Sequence, residues 1–126
     1  MLETIKDLPK GVVGVRASGQ VSKSDYETVM KPLLEEHHRM DQNICFLYHL
    51  GPSFQGFTVG AAWDDFYLGM KYLKLFEKCA VVTNVEWVVK GTQLMSHFMP
   101  CPVRTYKNEE LQNAVSWLQE KAVPRA

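Results

Sequence analysis

The chain has 126 residues, of which 46% are hydrophobic and 22% are charged, a balance typical of a single globular domain. Acidic and basic residues number 14 each and no basic run occurs, so a nucleic-acid-binding surface is not expected. The N-terminus lacks the apolar core of a signal peptide, and no stretch approaches the roughly 20 apolar residues that span a bilayer, which together predict a cytoplasmic protein.

The first half of the chain predicts a β-hairpin followed by a helix. The segments "MLETI" (1–5) and "VVGVRAS" (12–18) flank the Pro/Gly turn "KDLPKG" and read as an antiparallel pair. Ser22 then begins a helix, with Asp25 completing an approximate capping box, and Pro32 either kinks this helix or delays its start. The inward stripe of the helix contains Tyr26, Met30, Leu33, Leu34 and His37.

The second half of the chain alternates strands with helices. The predicted elements are a strand at 43–50, a loop at 51–56, a helix at 57–76, a strand at 79–84, a helix at 85–99 and a strand at 100–106. A last helix follows, which Asn108 is expected to cap. Its inward-facing residues are Leu111, Ala114, Val115, Leu118 and Ala122. This order predicts an α/β fold, with a five-stranded, mostly parallel sheet, an N-terminal β-hairpin and four helices. We place the domain at 1–122 and expect a frayed tail at 123–126.

No motif in the sequence predicts a metal site, a cofactor or catalysis. Cys45, Cys79 and Cys101 lack metal-site spacing and lie in or beside apolar runs, which predicts buried free thiols in a reducing compartment. His37 and His38 are adjacent, so a helix cannot point both at one metal ion. Glycine-rich phosphate loops and the GxSxG elbow of serine hydrolases are absent as well.

The helix at 57–76, "FTVGAAWDDFYLGMKYLKLF", has two apolar faces. Projection at about 100° per residue separates them, and we expect one face to pack on the sheet and the other to need a cover. The face expected on the sheet contains Val59, Ala62, Trp63, Phe66, Met70 and Leu73. The face expected to need a cover contains Phe57, Ala61, Leu68, Tyr72 and Leu75. The cover is the helix at 85–99, a ligand, a second subunit or a membrane surface.

Polar residues near this helix suggest contacts, not catalysis. The side chains of Asp64 and Asp65 point about 100° apart, and neither has a basic residue three or four positions away, so their partners are water or groups distant in sequence. His49 is predicted at the carboxyl end of the third strand, where parallel sheets often bind ligands. Ser53 and Thr58 follow it near a helix N-terminus, a position that favours either an anion or helix capping.

Three segments resemble the SpoIIAA-like family of small bacterial proteins, which are relatives of the STAS domain. They are "SGQVSKSDYETVMKPLLEEH", "AAWDDFYLGMKYLKLFEKCAVVTNVEWV" and "VRTYKNEELQNAVSWL". The resemblance implies a single strand–helix domain with a hairpin start, no established enzymatic activity, and a regulatory, protein-binding or ligand-binding role. The wider fold is similar to lipid carriers of the CRAL-TRIO type. The Asp-Ser-[Ser/Thr]-Gly phosphorylation motif of anti-anti-sigma members is missing from "LGPSFQGFT".

We therefore expect a non-enzymatic module that binds an apolar or lipid-like small molecule, with peripheral contact to the inner face of the membrane. The predicted contact residues are Phe57, Ala61, Leu68, Tyr72, Leu75, Phe76, Met95 and Met99. The predicted polar contacts are His49, Ser53, Thr58 and Asp64. The alternative is a regulatory protein-interaction module, including a homodimer, that uses the same apolar face and the loop at 51–56.

Overall fold

The computed structural model of the protein describes residues 1–120, which form one five-stranded sheet with helices on both faces. The strands are β1 (Leu2–Thr4), β2 (Val12–Val21), β3 (Ile44–Phe57), β4 (Phe76–Val82) and β5 (Val103–Tyr106). The helices are α1 (consecutive segments Lys23–Asp25, Tyr26–Met30 and Lys31–Arg39), α2 (Val59–Lys71, followed by a 3-10 turn at Leu73–Leu75), α3 (Glu86–Ser96) and α4 (Leu111–Gln119).

The sheet order is β1-β2-β3-β4-β5, with β1 antiparallel to β2 and every other neighbouring pair parallel. The predicted fold class, with its hairpin start, mostly parallel sheet and four helices, is confirmed. The predicted inward-facing Ala122, the domain boundary at 122 and the frayed tail at 123–126 lie outside the described residues.

The two faces of the sheet carry separate hydrophobic clusters. Along β3 successive side chains alternate between the faces. Phe46, Tyr48 and Leu50 face the cluster that includes residues of α1, α2 and α3, whereas Leu47 packs in the cluster built with α4. A site on one face of β3 is therefore separated by the sheet from a site on the other.

Strand β3 is longer than predicted, because it continues through the segment 51–56 that the sequence presented as a loop. Its pairing with β2 shifts register after Ala17 and resumes at Gly19, which lies opposite Phe54. Pro52 falls in this interruption, where proline, which has no backbone N–H to donate, is tolerated in a sheet. The turn-forming residues therefore mark an irregularity within a strand, and the predicted loop is wrong.

Helix α1 begins as predicted and accommodates its proline through a π-helical segment. Ser22 N–H donates to Asp25 Oδ2 at 2.8 Å, and Asp25 N–H donates to Ser22 Oγ at 3.2 Å, which confirms the capping box. Pro32 cannot donate an N–H and crowds the preceding turn. The π-helical segment Tyr26–Met30 precedes it, with Lys31 N–H bonded to the carbonyl of Tyr26, so the helix continues to Arg39.

The start of α4 differs from its prediction. Asn108 lies within a 3-10 turn, Asn108–Glu110, and its N–H donates to Asn84 Oδ1 at 2.9 Å. The carboxylate of Glu110 accepts from Lys107 N–H at 2.9 Å, so Lys107 occupies the cap position that the sequence assigned to Asn108. The reason is that Asn108 is bound to Asn84, a partner distant in sequence that the local pattern could not reveal.

The two faces of α2 are the reverse of the prediction. Ala61 and Leu68, and Tyr72 and Leu75 just beyond the helix, are buried in the core. The opposite face is exposed: Trp63 keeps 68% of its surface accessible, and the other large apolar side chains exposed on α2 are Val59, Phe66, Tyr67 and Met70. Because both faces are apolar, hydrophobicity alone could not orient the helix; contacts with α1 do so.

Candidate functional site

A cavity of about 500 Å³ lies between α2, α3 and the sheet, a size typical of small-molecule sites. Phe46 from β3, Phe76 from β4, Leu68 from α2 and Met99 after α3 supply apolar walls. Native cores contain few voids larger than a water molecule. A space of this volume with apolar walls is therefore suited to holding an apolar molecule.

Helix α3 forms a loosely packed side of the cavity. Val88 is its only buried residue, whereas Trp87, Leu94 and Met95 line the cavity and are also exposed. These three side chains therefore mark the mouth. The ring of Trp87 lies 6.1 Å from that of Phe57, centroid to centroid, so an aromatic pair flanks the opening.

Two glycines from different helices line the cavity, Gly69 on α2 and Gly91 on α3. A Cβ built on either glycine meets no atom within 4 Å. Glycine is the least favourable helix residue after proline, so each position lowers helix stability and leaves open space at the cavity.

A hydrogen-bonded chain of polar groups lies at the cavity wall. Tyr26 OH donates to Asp65 Oδ1 at 2.9 Å and lies 2.7 Å from Tyr48 OH. Because an ionised carboxylate only accepts, the hydroxyl hydrogen of Tyr26 is committed to Asp65 and that of Tyr48 is left for Tyr26. Burial raises the pKa of both tyrosines and of Asp65, and for Asp65 the bond from Tyr26 acts in the opposite direction.

The neighbouring polar residues hold α2 in place. Asp64 accepts from Lys23 Nζ at 3.2 Å, and Lys23 also pairs with Glu27 at 3.1 Å. Thr58 Oγ1 accepts from Ala61 N–H at 3.1 Å, as a helix N-cap does. Asp64 and Thr58 therefore have structural partners, and the adjacent Asp65 is the acid that lines the cavity.

His49 and Ser53 lie apart from the cavity. His49 is buried within β3, not at its end, and its Nδ1 accepts from Arg16 Nε at 3.4 Å on the sheet face opposite to Tyr48. Burial and the neighbouring Arg16 charge lower the pKa of His49, and the nearby Asn108 side chain acts in the opposite direction. Ser53 is exposed on β3, so the predicted loop cluster of polar contacts does not assemble.

The structure therefore divides the predicted site residues into several groups. Those that line the cavity are Phe57, Leu68, Phe76, Met95 and Met99. Those that are buried but do not line it are Ala61, Tyr72 and Leu75. The predicted polar contacts His49, Ser53, Thr58 and Asp64 lie outside its lining.

Several lining residues were not predicted from the sequence. Tyr26, Met30 and Leu34 appeared only as the inward stripe of the first helix, and Phe46 and Tyr48 only as parts of a strand. Combining the helix stripe with the alternation along β3 would have directed both toward α2. The sequence did not indicate that Gly69 and Gly91 line a cavity, because a glycine leaves a cavity open only where the other walls do not fill the space.

The three cysteines of residues 1–120 are not joined by disulfides. Cys79 is buried, Cys45 and Cys101 are half-buried, and all three are free thiols. No group of three or more histidine, cysteine, aspartate or glutamate side chains in this range could hold a metal ion. No helix in the same range is long and apolar enough to cross a bilayer.

Comparisons with known proteins agree with this architecture. The sequence model of the SpoIIAA-like family matches residues 12–119. The chain belongs to the SpoIIAA-like family. A crystal structure of an uncharacterised protein of the DUF3478 family from Shewanella loihica PV-4, which has a SpoIIAA-like fold, is similar over 93% of each chain, with 27% identity and a TM-score of 0.75. No curated protein matches the sequence.

Membership in the SpoIIAA-like family indicates a general class of function and does not identify a ligand or partner. The fold supports a regulatory or binding module, and proteins of this fold are generally non-enzymatic. The ligand or partner must be argued from the cavity and the surface of this chain.

Proposed function

We propose that the protein is a non-enzymatic binding module that holds the apolar part of a small lipid-like molecule in the cavity between α2 and α3. The observation that carries this proposal is the 500 Å³ cavity, whose walls are aromatic, aliphatic and methionine side chains. Met95 and Met99 near the α3 side are flexible and polarisable, so they can adapt to chains of different shape.

The energetic scale limits the affinity that an apolar chain alone can reach. Each methylene removed from water contributes about 0.8 kcal/mol, so a chain of ten carbons contributes about 8 kcal/mol before ordering costs. Losing translational and rotational freedom costs at least about 4 kcal/mol, so a saturated chain alone reaches roughly millimolar affinity. A polar anchor is needed for tighter binding.

The proposal is tested by titrating the protein with Nile red, a neutral apolar dye. We expect saturable binding of one dye per chain and displacement by decyl compounds. Gly69→Leu should weaken dye binding at least tenfold because the side chain enters the cavity, whereas Gly69→Ala should leave it within about fivefold. Absence of saturable binding, or equal binding by both variants, would refute the cavity as the site.

A second proposal concerns the exposed apolar surface beside the cavity mouth. We call it the outer apolar surface, and it comprises Val59, Trp63, Phe66, Tyr67 and Met70 of α2, together with Trp87, Leu94, Met95 and Phe98 on or just after α3. We propose that it contacts a membrane surface from which the ligand is loaded. Continuity supports this choice, since Trp87, Leu94 and Met95 also line the cavity.

The chemistry of this surface fits a bilayer interface. Tryptophan and tyrosine favour the headgroup region, and lysines beside them contact lipid phosphates. Lys71 Nζ lies 6.0 Å from the centroid of the Tyr67 ring, so a positive charge accompanies the aromatic residues. The exposed Lys74 follows α2 in the same region, whereas Lys90 on α3 is paired with Glu86 at 3.0 Å.

Vesicle co-sedimentation tests the membrane proposal. The double variant Trp63→Ser, Phe66→Ser should lower the partition coefficient on phosphatidylcholine vesicles at least tenfold, because each ring contributes about 1.5–3 kcal/mol when buried. Met40→Ser, at an exposed methionine beyond α1, is the matched control and should bind like the wild type. If light scattering shows a dimer that the double variant abolishes while vesicle binding is absent, the alternative protein-interaction function replaces this proposal.

A further inference from the structure

The cavity contains one charged side chain among its lining residues, the carboxylate of Asp65. Apart from it, the lining within residues 1–120 offers only weakly polar groups: the hydroxyls of Tyr26, Tyr48, Thr92 and Ser96, the thiol of Cys79 and the indole of Trp87. A lone charge in apolar surroundings dictates which ligand end can approach it. The hydrogen bonds and ion pairs that Asp65 already makes therefore determine which ligand head group it can bind.

Asp65 is half-buried, and only one of its two carboxylate oxygens has a partner in the described part of the chain. Its Oδ1 accepts from Tyr26 OH at 2.9 Å, and no donor from residues 1–120 reaches its Oδ2. The ion pairs in this range also leave Asp65 out, because Lys23, the nearby lysine, is held by Asp64 and Glu27. The carboxylate thus has acceptor capacity and negative charge without a matching cation.

The tyrosine pair cannot relieve this imbalance. The hydroxyl hydrogen of Tyr26 is directed to Asp65, and that of Tyr48 has Tyr26 as its partner at 2.7 Å. Burial raises the pKa of Asp65, which is the expected response of a carboxylate that is removed from water without a counter-charge. A cationic donor supplied by a ligand would occupy the open acceptor position of Oδ2 and provide a counter-charge.

We propose that Asp65 anchors the polar end of the ligand, which is an amphiphile whose head donates hydrogen bonds, a primary ammonium in preference to a hydroxyl. This inference rests on the proposed binding function and specifies its ligand class. The apolar chain lies along Phe46, Phe76 and Met99, and the head meets Asp65 Oδ2. An ammonium combines three donors with the complementary charge, and charge-assisted hydrogen bonds are roughly twice as strong as neutral ones.

Other head groups suit the carboxylate of Asp65 less well than an ammonium does. A hydroxyl donates one neutral hydrogen bond and therefore binds more weakly than the ammonium. A carboxylate or phosphate places a second negative charge beside Asp65 and is disfavoured. The predicted order of affinity is alkylamine, then alcohol, then carboxylate, at equal chain length.

The test measures displacement of Nile red at pH 7 by decylamine, decanol and decanoate. With the wild type, we expect decylamine to bind at least tenfold more tightly than decanol, and decanoate to bind least. Asp65→Asn should bring decylamine and decanol within threefold of each other, since the isosteric amide keeps an acceptor but has no charge. Asp64→Asn is the control, since Asp64 is adjacent but lies outside the lining, and it should keep the wild-type order.

The outcomes separate the two proposals. If no decyl compound displaces the dye, both the binding function and the head-group inference fail. Equal affinities for the three compounds, a preference for decanoate, or an amine preference that persists in Asp65→Asn overturns only the role of Asp65. Thermal melting of each variant confirms that the folded protein is being compared.

Discussion

Replacing Gly91 with leucine separates the stability of the fold from the capacity of the cavity. Gly91 lies on α3 and lines the cavity, and a Cβ at this position meets no atom within 4 Å. Gly91 is exposed where α3 borders the cavity, so a leucine side chain that turns toward the cavity displaces no neighbour. The substitution should stabilise the protein while it competes with a ligand for the same volume.

Both effects can be estimated from the site. Exchanging glycine for leucine within a helix contributes about 0.8 kcal/mol, and partial burial of the new side chain contributes roughly 1 kcal/mol more. The melting temperature should rise by roughly 5–10 °C for a domain of this size. Four carbon atoms of leucine displace about four methylenes of ligand, which costs about 3 kcal/mol, or roughly a hundredfold in affinity.

Differential scanning calorimetry and decylamine displacement of Nile red measure the two effects on the same samples. Gly91→Ala is the matched control, because it provides the helix-propensity gain with one carbon atom and should lose only about fourfold in affinity. The reasoning is refuted if Gly91→Leu binds the dye as well as the wild type does. It is also refuted if the variant is destabilised, since that would mean the space at Gly91 is not available.

Three further predictions concern the polar chain and the length of the ligand. The pKa of Asp65 is raised in the folded state, so the folded protein retains this proton above the unfolded pKa, and the free energy of unfolding falls as pH rises from about 3 to neutral. In urea titrations Asp65→Asn should therefore be more stable than the wild type at pH 7, by about 1.4 kcal/mol for each pH unit by which the pKa is raised, and should lose this advantage near pH 3. An advantage that grows with acidity would contradict the reasoning. Tyr26→Phe removes the donor to Asp65 and the partner of Tyr48, so urea denaturation at pH 7 should show a loss of about 2–3 kcal/mol in the free energy of unfolding. Tyr67→Phe, on the exposed face of α2, should change this free energy by less than about 0.5 kcal/mol, and similar losses for both variants would argue against the hydrogen-bonded chain of Tyr48, Tyr26 and Asp65. Calorimetric titration with alkylamines of six to twelve carbons should show about fourfold tighter binding per methylene until the cavity is filled, and affinity independent of length would contradict an apolar cavity site.

Much of the fold could be predicted because local patterns and long-range packing agree. The apolar strands alternate with helices, and the capping box at Ser22 matches the observed start of α1. Membership of nearly the whole chain in one family follows from motifs spread across it. The failures fall where a local signal competes with a distant partner, as at the strand segment 51–56, where Phe54 and Gly56 pair with β2 although turn-forming residues surround them.

The orientation of α2 shows the same limit at the candidate site. Two apolar faces gave projection no physical basis for choosing the inner one. The choice is made by contacts that are far apart in sequence, between Tyr26 and Asp65 and between Lys23 and Asp64. Once these contacts place Leu68 inward, the exposed side of α2 becomes the aromatic outer surface, which is the reverse of the prediction.

The cavity depends on positions in α2 and α3 where no side chain fills the space between the elements. Sequence patterns reveal which side chains are apolar, and they directed attention to Phe57, Leu68, Phe76, Met95 and Met99, which line the cavity. They do not reveal that Gly69 and Gly91 both line the cavity, or that α3 has Val88 as its only buried residue. Volume between elements is a property of tertiary packing and has no local sequence signal.

A crystal structure of the protein with decylamine tests the central claim most directly. We predict that the alkyl chain lies between α2 and α3 against Phe46, Phe76 and Met99, with its nitrogen within hydrogen-bond distance of Asp65 Oδ2. A structure with α2 and α3 closed against each other, and with decylamine bound elsewhere or not at all, would contradict the account.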